Sequence, residues 1–117
     1  MAALPNAVVE IIQAQLTPAE LAGAAAYVAQ SPLPAATRLD LAGTVIETES
    51  EAYVAFIDRD PTANWGHAAR YLIFDLQGGS VRSVETRLPP FNAPGGLKWR
   101  VIYQAPSVPD AAVAFPQ

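Results

Sequence analysis

Cysteine is absent from this chain. That excludes disulfides, thiolate catalysis and cysteine-ligated zinc. The absence suits a reducing compartment, so a cytoplasmic location is the expectation. Charge is scarce too. Acidic and basic residues make up 15% of the 117 positions, against roughly 25% in an average domain. The seven basic residues are scattered, at Arg38, Arg59, Arg70, Arg82, Arg87, Lys98 and Arg100, and the net charge is −4. Polyanion affinity needs clustered Lys and Arg, so no nucleic-acid partner is expected. Met1–Leu16 has no basic leader, and Asn6, Glu10, Gln13 and Gln15 interrupt its apolar residues. It reads as neither a signal peptide nor a membrane span, and no membrane partner is expected.

Hydrophobic residues reach 51%, much of it alanine. The length suits one domain with a core of its own. Few charges are left to cover its surface. Covering part of that surface with another protein or another copy would meet the shortfall, so a protein partner or self-association is expected.

The N-terminal third reads as helical. Pro5-Asn6 offers a start with Asn6 as N-cap, and Val8, Val9, Ile12 and Leu16 recur at helical spacing. Thr17-Pro18-Ala19-Glu20 is a capping box with proline at the first helical position. The second helix is predicted over Leu21, Ala25 and Val28, with its Ala-rich part at 22–29. Ser31-Pro32-Leu33-Pro34 would end it.

From Arg38 the period changes to that of strands. They are predicted at 39–48 (with Gly43 as a bulge), 52–58, 70–76, 81–87 and 98–103. The first two would pair through the polar turn at Thr48–Glu51, and Gly78-Gly79 marks a hairpin. The fourth, with more polar residues, suits an edge. Trp99, Val101 and Tyr103 would share a core face. The expected fold is α+β: two N-terminal helices packed on a four- or five-stranded antiparallel β-meander. Residues 1–104 form the domain, and 105–117 are read as a Pro-rich extended tail. Val108, Val113 and Phe115 could add to a partner's sheet edge.

The densest cluster of chemistry-bearing residues joins the second and third strands, from Asp58 to Tyr71. It holds the only histidine, His67, with Asp58, Arg59, Asp60, Asn64, Trp65 and Arg70. A plain hairpin needs two to five residues, about half this connection's length. Asp58, Asp60, Thr62 and Asn64 alternate as in a calcium loop. Ala63 and Ala69 stand where that loop needs glycine and a bidentate glutamate, so no metal is assigned. No motif implies a cofactor: Gly95-Gly96 is not followed by a phosphate-binding helix start. His67 with Asp58 or Asp60 could form a base and its orienter, but no serine or threonine lies in a nucleophile elbow.

Three readings follow. The first is a non-catalytic interaction module, self-associating, inhibitor-like or propeptide-like. Its loop Asp58–Arg70 would bind through Asp60, Asn64, Trp65, His67 and Arg70. The second is a small enzyme or ligand carrier using His67 with Asp58 or Asp60. The third is a docking domain of a larger assembly. Ordinary loop chemistry could also account for the cluster, with Asp58 and Asp60 closing turns, Trp65 covering the core and Arg70 pairing with an acid on the next strand.

Overall fold

The computed structural model describes residues 5–41, 43–62, 68–76, 80–87 and 97–113. Helix α1 spans Asn6–Gln15. Val8, Ile12 and the following Leu16 are buried, each four residues from the last, so they form one apolar face. The N-cap is Pro5 rather than Asn6, and no side chain caps this end. Helix α2 spans Pro18–Gly23 and opens with the expected capping box. The Thr17 hydroxyl oxygen accepts the Glu20 N–H at 3.1 Å, and Glu20 Oε1 accepts the Thr17 N–H at 2.9 Å.

The second helix is shorter than expected. Ala24 is extended, at φ −102° and ψ 163°, and Ala25–Ala29 is strand β1. Ala25, Tyr27 and Ala29 face one core cluster and Ala26 and Val28 the other. Alanine favours helix by propensity. Small side chains buried on both sides suit an interior strand, and tertiary burial overrides the propensity here.

The remaining strands are β2 (Arg38–Leu41), β3 (Thr44–Glu47), β4 (Tyr53–Asp58), β5 (Ala69–Phe74), β6 (Val81–Thr86) and β7 (Trp99–Gln104). Five of them form one sheet in the order β6-β5-β4-β1-β7. Every neighbouring pair is antiparallel. The expected meander holds only for β4, β5 and β6. β7 closes the sheet on the far side of β1, with a register shift at Ala26/Tyr27.

The predicted strand 39–48 folds on itself instead of pairing with 52–58. β2 and β3 make a separate two-stranded sheet in which Leu41 faces Thr44. Gly43 is the turn residue and not a bulge. Its φ of +93° is one that side chains disfavour. Asp40 Oδ1 accepts its N–H at 2.8 Å. β4 has both hydrogen-bonding edges filled by β1 and β5, whose residues are buried throughout. β2 and β3 alternate between exposed and buried positions, as a covering hairpin does.

Both faces of the five-stranded sheet are therefore covered. On one, Val8, Ile12 and Leu16 pack with Val28, Ile57, Leu72 and Phe74. On the other, Leu41 and Ile46 of the hairpin join Val108 and Val113 against Phe56, Tyr71, Trp99 and Val101. Residues 105–113, read from sequence as extended tail, return to this core. The Ala105 N–H reaches the Ala24 carbonyl at 3.0 Å, and a 3-10 turn spans Asp110–Ala112. Gly78, Gly79 and Phe115 lie outside the described residues.

Candidate functional site

The connection from β4 to β5 leaves the sheet at Asp58 and re-enters at Ala69, which face each other in register. Of the five residues expected to bind a partner, Asp60 and Arg70 are described, whereas Asn64, Trp65 and His67 lie outside the described residues. Asp58 is buried, and its Oδ1 accepts the Asp60 N–H at 3.0 Å. Asp60 is exposed, and its Oδ1 accepts the Thr62 hydroxyl at 3.2 Å. The two aspartates thus close a local turn.

Arg70 does something the sequence did not indicate. Glu85 on β6 stands opposite it in register, and an ion pair across the strands was the expectation. Its guanidinium turns instead to Glu20 of α2. Nε donates to Oε2 at 2.9 Å and Nη2 to Oε1 at 2.7 Å, a forked pair. Nη2 also donates to the Gln15 carbonyl at 2.7 Å, and Nη1 to the Ser83 hydroxyl oxygen at 3.2 Å. Arg59, at the other root of the connection, donates from Nε to the same Glu20 Oε2 at 2.9 Å. Its two terminal nitrogens hold Glu85 at 2.6 and 3.2 Å.

Glu20 is the centre of this arrangement and is only 3% exposed. Burial by itself would raise its pKa. The Arg70 hydrogen bonds, the Thr17 N–H and the Arg59 hydrogen bond together outweigh that and hold it at about 2. Glu20 is therefore ionised throughout the neutral range and has no proton to give as a general acid. Glu85 raises the Arg59 pKa, burial opposes this, and Glu20 adds to the rise. Two carboxylates balance two guanidiniums, so the cluster is a neutral anchor.

Glu20 and Arg59 were not among the sequence candidates for binding. The capping box gave Glu20 a local role that left nothing further to explain. Its burial depends on Arg59 and Arg70, 39 and 50 positions away in sequence, which no local pattern reports.

At the opposite end of β4 and β5, a cavity of about 310 Å³ is lined by Ser50, Glu51, Tyr53, Asp75 and Leu76. A smaller one of about 200 Å³ adjoins it and shares Ser50 and Asp75. Among the described residues, no group of three or more His, Cys, Asp or Glu is placed to hold a metal ion. No described helix is long and apolar enough to cross a membrane. Comparison with family models, curated proteins and solved structures finds no match to this chain.

Proposed function

We propose that this chain is a non-catalytic protein-interaction module. Its connection Asp58–Arg70 meets a protein partner, here taken as a second copy of the chain. The observation supporting this reading is the shared anchor: Arg59 and Arg70, at the two roots, both donate to Glu20. A connection fixed at both ends has less ordering cost on binding. Asp60 is the exposed acidic contact at its start. Asn64, Trp65 and His67 supply the aromatic and polar groups common at interface hot spots. Arg70 belongs to the reading as a positioning residue, since its guanidinium is buried against Glu20. The low charge of the chain favours covering part of its surface. No cofactor enters the reading.

The test is light scattering over a wide range of protein concentration. Wild type is compared with Trp65→Ala and with the combined variant Asp60→Ala, Asn64→Ala, His67→Ala. The expected result is a mass that rises with concentration in wild type and stays at one chain in both variants, with unchanged melting. A wild type that remains a single chain throughout, or variants that associate as it does, would overturn self-association. A variant that melts several degrees lower would show those side chains holding the fold instead.

A further inference from the structure

Helix α2 is attached differently from helix α1 and strand β1, which flank it in sequence. Between Thr17 and Gly23 the only buried residue is Glu20, a carboxylate. Leu21, its one large apolar side chain, is 41% exposed. Polar contacts hold both ends. At the start, Glu20 takes Arg70 and Arg59. At the end, the Tyr103 hydroxyl donates to the Leu21 carbonyl, and the Ser107 hydroxyl donates to the Ala22 carbonyl at 2.7 Å. These two donors come from β7 and the segment after it, and they satisfy carbonyls that the helix end leaves without intrahelical partners.

A helix of this length is not stable in water by itself, because nucleation costs more than its few hydrogen bonds return. Most helices survive by burying an apolar stripe, and α2 buries none. Its neighbours differ: α1 is held by Val8 and Ile12, and β1 by burial on both faces. Opening α2 would expose little apolar surface beyond the covered part of Leu21, whereas opening α1 or β1 would expose Val8, Ile12 or an entirely buried strand.

We propose that α2 is a polar latch, an element that opens by local unfolding between Leu16 and Ala24 while α1 and the five-stranded sheet stay folded. Opening withdraws Glu20 and so frees the Arg70 guanidinium. It also removes one of the two carboxylates that hold Arg59, leaving Glu85. The roots of the β4–β5 connection then lose their common anchor. The latch does not depend on what that connection binds.

Amide hydrogen exchange on the full chain tests this. The Leu21 and Ala24 amides bond within or just after α2, to the Thr17 and Glu20 carbonyls. They should exchange faster than amides of β4 and β5, with a rate insensitive to low urea, as local opening requires. In Glu20→Gln their exchange should accelerate at least about tenfold more than that of β4 and β5. Equal acceleration everywhere, or α2 amides as protected as the sheet in wild type, overturns the latch. If Glu20→Gln does not fold, the Tyr103→Phe, Ser107→Ala double variant releases the other end. It should give the same localised acceleration, and uniform acceleration or unfolding there overturns the proposal.

Discussion

The two faces of the five-stranded sheet are buried by different means. The helix side is apolar under α1 but carries a charged cluster at the end where α2 sits, and every member of that cluster has a partner. The opposite side, under the hairpin and residues 105–113, contains a larger apolar cluster. In it, the Tyr71 hydroxyl is fully buried and has no hydrogen-bond partner among the described residues. The contrast teaches that a polar group's burial alone does not say whether it stabilises. Glu20 was moved from water into a set of donors, whereas the Tyr71 hydroxyl was moved from water into hydrocarbon.

The largest expected effect tests the apolar side as the main store of stability. Phe56 is fully buried, with ring centroids 5.4 Å from Tyr71 and 6.2 Å from Tyr27. Phe56→Ala should cost about 4 kcal/mol. Urea unfolding measures it, and a loss under about 1 kcal/mol would break the comparison.

The charged side comes next. Glu20→Gln should cost about 2 kcal/mol, less than a sealed ion pair loses, because an opened α2 lets water reach the arginines. The folded pKa of about 2 lies below the ordinary 4.5. Its stabilisation is therefore present above pH 4.5 and lost as pH falls toward 2. Stability measured against pH should decline in that window for wild type, and this component should vanish in Glu20→Gln.

The third effect has the opposite sign. Tyr71→Phe removes a hydroxyl that has no partner among the described residues, at little change of shape, so it should stabilise by about 1 kcal/mol. Burial raises the Tyr71 pKa above the ordinary 10.0. A raised folded value means stability present below pH 10 and lost as pH rises above it, a loss the phenylalanine variant should lack. Destabilisation by Tyr71→Phe would mean the hydroxyl has a partner after all.

The smallest effect sharpens the contrast between buried and exposed charge. Arg38 and Glu47 pair at 3.1 Å, with side chains 69% and 68% exposed. Arg38→Ala should change stability by less than about 0.5 kcal/mol. A loss comparable to that of Glu20→Gln would remove the distinction.

Much of the fold was legible where a pattern is local. Val8, Ile12 and Leu16 marked the α1 face, Thr17 to Glu20 marked the start of α2, and the polar residues of 81–87 marked an edge. β1 was missed because Ala25–Ala29 carries neither a helical stripe nor an alternation: both faces are buried, so no period survives. The pairing of 39–48 was missed because β3 and β1 compete for the same edge of β4. Apolar content on both faces decides that contest, and chain proximity does not. At the candidate site, the turn made by Asp58 and Asp60 followed from side-chain chemistry. The convergence of Arg59 and Arg70 on Glu20 did not.

The sequence by itself determined the absence of thiol chemistry, the low charge, the start of α2 and most strand positions. These depend on composition or on neighbours within a few residues. Only the tertiary structure decided that an alanine run is an interior strand, that both sheet faces are covered, and that a capping-box glutamate anchors two distant arginines. Those outcomes depend on which surfaces compete for burial and on which charges meet out of water. Both are properties of the assembled chain rather than of any segment of it.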